Sequence, residues 1–301
     1  MKKLSFIIIF ISLFYGTYAQ QDRFDPPWNH SPESKVMFTI PGIDNVPDLF
    51  GDINKPQLVV FFAGNQFMCV DSIVAAFKKE YPAYKRIFVE TLPPGILAKQ
   101  ISGGTLTIGN ERISLRPDIY TAGKNRMDQM MHWVKDTVIY AHNKLAIMVQ
   151  HGNPYKVKDL KDLGQKELKV SMPNPAWEGI GTQIAKAYIK AGGEELNKMI
   201  MEEKVQNGTT LLTKIHHRES PINILNKRAD AAPVWFTEGY YQEMLGHPVQ
   251  MVQIPEKENI RAAYVAGILK NAPHPKAARD FLKFLSGNRA KEIYAFYGFE
   301  N

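Results

Sequence analysis

Six consecutive apolar residues, Leu58-Val59-Val60-Phe61-Phe62-Ala63, constrain this chain more than any other feature. A strand that is apolar on both faces must be covered on both, which suits the interior of a parallel sheet flanked by helices. A turn follows at Gly64-Asn65-Gln66-Phe67. Val70, Ile73, Val74 and Phe77 then recur at helical spacing as far as Tyr81, with Pro82 just beyond. The same alternation continues down the chain. Strands are expected at Arg86–Glu90, Lys144–Gln150, Leu168–Met172, Ala231–Phe236, Val249–Ile254 and Ala262–Leu269. Helices are expected at Ile96–Ile101, Met127–Trp133, Val157–Leu163, Thr182–Lys190, Glu194–Lys204, Lys276–Leu285 and Ala290–Phe296. Strands alternating with helices over this length predict an α/β architecture with mainly parallel sheets.

The N-terminus predicts export. Lys2 and Lys3 precede the apolar run Leu4–Tyr15, and Thr17-x-Ala19 supplies the small residues that a signal peptidase requires. A cleaved signal ending at Ala19 or Gln20 is expected, with a retained membrane anchor as the alternative. No cysteine stands at the cleavage point, so a lipid anchor is not. Residues 21–56 are rich in Pro, Asp and Asn. They read as an extended arm that lies along the surface and contributes no central strand, since proline cannot donate to a sheet ladder. Val36–Ile40 is the one run in it that could form a strand.

One cysteine in 301 residues removes whole classes of function. Disulfide scaffolds, CxxC redox chemistry, zinc ribbons and c-type haem attachment all need more. Export with a single cysteine suits a bacterial periplasmic protein better than an animal secreted one. Cys69 reads as a buried thiol, with a reactive cysteine at a helix start as the alternative. The net charge of +7 is diffuse; it mildly favours an anionic partner and is only weak evidence for nucleic acid, which is not expected as a partner. No nucleophile elbow, Walker loop, dinucleotide fingerprint or zinc-protease helix is present. His216-His217 matches no standard metal spacing, and adjacent side chains on regular structure diverge, so one is expected exposed and the other hydrogen-bonded. No metal or cofactor is expected.

The signals that remain are those of anion binding. Four loops follow expected strands and precede helices: Gly64–Phe67, Thr121-Ala122-Gly123-Lys124, Asn174–Thr182 and Thr237-Glu238-Gly239-Tyr240. Helix N-termini at the carboxyl ends of strands are where open α/β sheets hold ligands, and their free N–H groups favour negative charge. Their spread over both halves of the chain suggests a cleft between two lobes. Arg218 is the side chain best suited to a carboxylate or phosphate, its planar fork reaching two oxygens, with a surface arginine as the alternative. Trp177 is assigned to the cleft and Trp235 to the core.

The order of these stretches resembles the type II periplasmic solute-binding proteins, near the molybdate-binding family and its relatives that bind small organic anions. The resemblance runs over residues 57–301. Phe61–Asn65 looks like the first strand and ligand loop, and Pro117–Gly123 with Met127-Asp128 like the second. Asn143–Val149, with Gly152-Asn153-Pro154 and Asp159-Leu160, looks like the crossover into the second lobe, and Arg228–Glu238 like that lobe's last strand. Pro275–Leu285 and Ala290–Phe299 look like the C-terminal helices. Asn65-Gln66-Phe67 is bulkier than the small hydroxyl residues of molybdate-type loops, and His216-His217-Arg218 looks more like the adhesin-like antigen and colonisation-factor branch. This lowers the expectation of bare molybdate and raises that of a larger anion.

The resemblance implies a two-lobe fold, with a signal at 1–20, an arm at 21–56, lobe one at 57–143 plus 245–301, and lobe two at 144–244. It implies a non-enzymatic periplasmic protein that closes on a small anion and docks on an ABC permease, peripheral to the membrane at most. The implied ligand contacts are Asn65, Gln66, Phe67, Thr121, Ala122, Gly123, Trp177, Gly181, Thr182, His217, Arg218, Thr237 and Glu238. Two rival readings remain. One is a surface adhesin on the same fold. The other is an exported hydrolase or lyase using His217 with Glu219 or Glu238, which would show a nucleophile within reach of that histidine.

Overall fold

The computed structural model describes residues 35–39, 47–176, 178–214 and 216–300. The expected signal peptide and the arm before residue 35 lie outside them. The elements are β1 (Lys35–Phe38), β2 (Leu49–Asp52), β3 (Leu58–Ala63), α1 (Phe67–Glu80), β4 (Ile87–Leu92), α2 (Pro94–Gly103), a small hairpin of β5 (Leu106–Ile108) and β6 (Glu111–Ile113), β7 (Ile119–Gly123), α3 (Lys124–Gln129) and β8 (Val134–Gln150). There follow β9 (Val170–Met172), α4 (Gly179–Lys198), a π turn leading into α5 (Lys204–Gln206), β10 (Thr210–Leu212), α6 (Glu219–Leu225), β11 (Ala231–Trp235), α7 (Phe236–Met244), β12 (Val249–Gln253), β13 (Arg261–Leu269), α8 (Pro275–Leu285) and α9 (Asn288–Phe296).

β3 behaves as its composition requires. Leu58, Val60 and Phe62 enter one core, with Ile73 and Phe77 of α1 and Phe281 of α8. Val59 and Phe61 enter the core on the opposite face, with Leu97 of α2 and Tyr120 of β7. The period-2 alternation of a strand thus feeds two apolar layers at once. A second pair of cores lies on the two faces of the other half-sheet. One holds Leu145, Ile147 and Val149 of β8 with Ile184 and Tyr188 of α4. The other holds Met148, Ala232 and Val234. These cores mark two lobes, each a half-sheet with helices on its faces.

The strand order is β1-β2-β4-β3-β7-β13-β8-β11-β9-β10, with β12 also on β8. Pairs β3–β4, β3–β7, β9–β10 and β9–β11 are parallel. β13 runs antiparallel to β7 and β8, and β11 and β12 run antiparallel to β8. β8 is the strand that joins the two half-sheets. It spans 17 residues, pairing with β13 through Val134–Lys144 and with β11 and β12 through Leu145–Gln150, and so carries the chain from one lobe to the other. β12 therefore sits on the second half-sheet. The sequence-based boundary, which gave everything from residue 245 to the first lobe, is corrected at this strand.

In the described part of the arm, β1 and β2 form an antiparallel pair, and β2 runs antiparallel to β4. The pair lies at the outer edge of the sheet, where an unpaired side is tolerated, and not at its centre. Gly51 makes the join possible. It has φ +103, and a Cβ there would lie 2.1 Å from the carbonyl oxygen of Ile87.

Candidate functional site

Where the lobes meet, the sheet ends deliver side chains from several elements to one buried cluster. From the first lobe, a 3-10 turn at Gly64–Gln66 places Asn65, whose Nδ2 donates to the Tyr264 hydroxyl. Phe67 opens α1, half-buried. From the second lobe, the segment 213–218 supplies Thr213, His216, His217 and Arg218, all buried. α7 supplies Thr237 and Glu238, and the residue before α4 supplies Glu178. Asn143 on β8 donates from Nδ2 to Thr237 Oγ1 at 3.0 Å, which ties the two sides together.

Charges in this cluster are paired. The Arg218 guanidinium forms a salt bridge with Asp48, the side chains being 2% and 0% exposed, and lies 5.0 Å from the centre of the Phe67 ring. Asp48 belongs to the short stretch before β2. Its N–H donates to the Phe38 carbonyl at 2.8 Å and its carbonyl accepts from Thr91 N–H at 2.7 Å. His217 Nδ1 lies 2.6 Å from Glu238 Oε1, a charge contact that is not aligned as a hydrogen bond. Burial pulls the pKa of His217 down, but the Glu238 and Glu178 carboxylates outweigh it and hold it above the usual histidine value. Burial raises Glu178 above the usual carboxylate range, against the opposing effect of His217 and the Thr213 hydroxyl that donates to it.

His216 is the opposite case. Its Nδ1 accepts from Arg218 N–H at 3.1 Å, so the ring proton sits on Nε2. That nitrogen is buried without a partner and faces Gly64, where a Cβ would come within 2.7 Å of it. Burial, then the charges of His217 and Arg218, push its pKa well below the usual value, and the ring is neutral. The expectation that the two histidines diverge is corrected here. They lie on a turn, both are buried, and their ring centres are 4.1 Å apart.

The residues expected to line a ligand site fall into two groups. Asn65, Phe67, His217, Arg218, Thr237 and Glu238 share the cluster. The other described ones lie elsewhere. Gln66 donates from Nε2 to the Tyr140 hydroxyl at 2.6 Å and accepts at Oε1 from the Tyr294 hydroxyl at 3.0 Å, inside the first-lobe core. Thr121 Oγ1 accepts from Ala63 N–H at 2.9 Å, and Ala122 is packed in the core. Gly123 caps α3, where Lys124 pairs with Asp128 at 2.7 Å. Gly181 presses on the backbone of 173–175, a Cβ there meeting Pro173 O at 2.5 Å, and Thr182 is exposed on α4. Trp177 lies outside the described residues. Trp235 is 7% exposed and packs in the second-lobe core.

Sequence reasoning missed Asp48, Asn143, Glu178, Thr213, His216 and Tyr264 as members of the cluster. Glu178 stood within the Asn174–Thr182 loop and could have been drawn from it. Asp48 carried no signal, since an aspartate in a Pro-rich stretch reads as a turn residue. Among the described residues no group of three or more His, Cys, Asp or Glu side chains is poised to hold a metal ion. No helix among them is long and apolar enough to cross a membrane.

The bacterial extracellular solute-binding protein family matches the chain over residues 58–300. No curated protein sequence matches. Solved structures share the fold at low identity. The periplasmic molybdate-binding protein of Azotobacter vinelandii superposes with a TM-score of 0.66 at 14% identity, covering 81% of this chain and 99% of that one. PEB3 of Campylobacter jejuni with bound L-phospholactate gives 0.61 at 16%, covering 81% and 99%. Iron-bound HitA of Pseudomonas aeruginosa gives 0.61 at 14%, covering 79% and 83%. At these identities the likeness establishes the fold alone.

Proposed function

This chain belongs to the bacterial extracellular solute-binding protein family, and from that membership we propose that it captures a small anion, carrying a carboxylate or phosphate, between its two lobes in the periplasm and presents it to an ABC-type permease. It is a binding protein, and His217 is engaged by a carboxylate, not by a hydroxyl or thiol nucleophile. Ligand would shift an open–closed population about the two crossovers, one at Asn143-Lys144 on β8 and the other in the return from β12 to β13. The closed form is the one a permease would recognise.

The observation that carries the reading is the state of Arg218. It is 2% exposed at the lobe junction and already holds an oxygen anion, the Asp48 carboxylate. A buried guanidinium paired with a carboxylate has the donor geometry that an anionic solute needs. Of the relatives above, two are named for oxyanion-bearing ligands and one for iron. The lack of a three-ligand cluster among the described residues favours the anions.

Calorimetry with molybdate, phosphate, citrate and phosphoglycerate tests this on wild type, Arg218→Ala and Lys190→Ala. Removing a buried arginine from an anion costs about 2–5 kcal/mol, so Arg218→Ala is expected to weaken binding at least ~30-fold. Lys190, exposed and bonded to the Asn259 carbonyl at 2.6 Å, is the control, with a change under about twofold. Equal affinities for wild type and Arg218→Ala would sink the site. Tight binding of a neutral sugar or a cation would sink the ligand class.

A further inference from the structure

Two carboxylates of the cluster are buried with oxygens that no donor reaches. Glu238, on α7, is 1% exposed, and neither of its oxygens accepts a hydrogen bond. His217 Nδ1 lies 2.6 Å from its Oε1 as a charge contact only. Glu178, just before α4, is 3% exposed. Its Oε1 accepts from the Thr213 hydroxyl and from Asn174 N–H at 3.2 Å, and its Oε2 accepts nothing. Among the described residues, Glu238 is the carboxylate with both oxygens buried and without a hydrogen bond. An ionised carboxylate can only accept, and burying one with its lone pairs unmatched is costly. Such a group in a native fold calls for a partner that the fold itself does not supply. Thr213 is already committed to Glu178 Oε1, and Asn143 Nδ2 donates to Thr237. Both carboxylates act electrostatically on His217, the chain neighbour of Arg218, so the open acceptors lie beside the place proposed for the solute's anionic group.

We propose that the solute carries a hydrogen-bond donor, a hydroxyl or an ammonium, on the carbon next to its anionic group, and that Glu238 and Glu178 accept from it. This rests on the reading of the cluster as the solute site, and it narrows the ligand class. A bare oxyanion such as molybdate has charge for Arg218 but brings no donor. The two carboxylates that hold the donor also repel an anion that lacks one, so attraction and rejection come from the same side chains. Selectivity of this polar kind is steep, because a missing donor leaves a buried acceptor unpaired.

Three compounds of one skeleton test this by calorimetry: 3-phosphoglycerate, O-phosphoserine and 3-phosphooxypropanoate. They carry a hydroxyl, an ammonium and a hydrogen on the carbon beside the carboxylate. Wild type is expected to bind one or both of the first two at least ~10-fold more tightly than the third. Which of the two binds more tightly tells hydroxyl from ammonium. Glu238→Gln and Glu178→Gln each remove a charge and turn one acceptor oxygen into a donor, and are expected to narrow the preference to under about threefold. Should either fold poorly, the wild-type series still decides. Arg218→Ala is expected to weaken all three alike and leave the preference standing. Equal wild-type affinities, or tighter binding of 3-phosphooxypropanoate, with Arg218→Ala weakening all three, overturn the donor and leave the anion seat. A preference kept in Arg218→Ala at undiminished affinity overturns the seat and leaves the donor. A preference untouched in both glutamate variants overturns the role of Glu238 and Glu178. Binding of none of the three overturns seat and donor together.

Discussion

His217 and Glu238 meet at 2.6 Å between Nδ1 and Oε1, with side-chain exposures of 7% and 1%. Burial alone would keep this histidine neutral; the carboxylate reverses the sign of the shift. An imidazolium favoured by the fold stabilises it fully below the unfolded value of 6.5, and that stabilisation is lost as pH rises through the raised folded value. Glu238→Gln is expected to lower the His217 pKa, read from its imidazole resonances by NMR titration. An unmoved pKa would show that Glu238 is not its cause.

Glu90 sets a second pH dependence. It is fully buried on β4, its Oε1 accepting from Gln100 Nε2 at 3.0 Å. Burial pushes its pKa up from 4.5 to about 8, the Gln100 bond opposing only in part. The protonated acid is therefore the form the fold favours. Its contribution is whole below 4.5 and declines as pH rises towards 8, by up to ~1.4 kcal/mol per pH unit. Glu90→Gln keeps the acceptor and cannot ionise. Its melting temperature is expected to decline less between pH 5 and 8 than that of wild type (about the span over which this acid titrates), and parallel curves would refute the assignment.

Cys69 is fully buried, donates from Sγ to the Gln66 carbonyl at 3.1 Å, and has its pKa raised by that burial. A thiol held protonated and covered does not react. An aromatic disulfide reagent is expected to label it only after denaturation, and Cys69→Ser to leave solute affinity within about threefold. Prompt labelling of native protein would place this thiol at a reactive surface.

Gly51 joins β2 to the sheet where no side chain fits, its would-be Cβ 2.1 Å from Ile87 O and its φ at +103. Gly51→Ala is expected to cost about 1–3 kcal/mol in urea unfolding, from backbone strain and the forced shift of β4. It should also disturb solute binding, since Asp48 lies three residues away. Stability equal to wild type would show that the β1–β2 pair contributes little to the fold.

Local pattern was sufficient for most of the architecture. Leu58–Ala63 declared a strand covered on both faces, and the break expected between Lys190 and Glu194 is the kink at Gly192-Gly193, where Gly193 takes φ +74. These features follow from periodicity, proline and glycine, which act over a few residues. What escaped depends on partners far along the chain. Val134–Asn143 mixes polar and apolar residues and reads as no clear strand, yet β13, some 120 residues later, pairs with it. The burial of His216 with His217, the commitment of Gln66 to Tyr140 and Tyr294, and the placing of Asp48 on Arg218 were likewise decided by the tertiary structure. A polar side chain carries no local mark of whether it will face water or a buried counter-charge. Only packing removes the water, and only packing chooses the partner that replaces it.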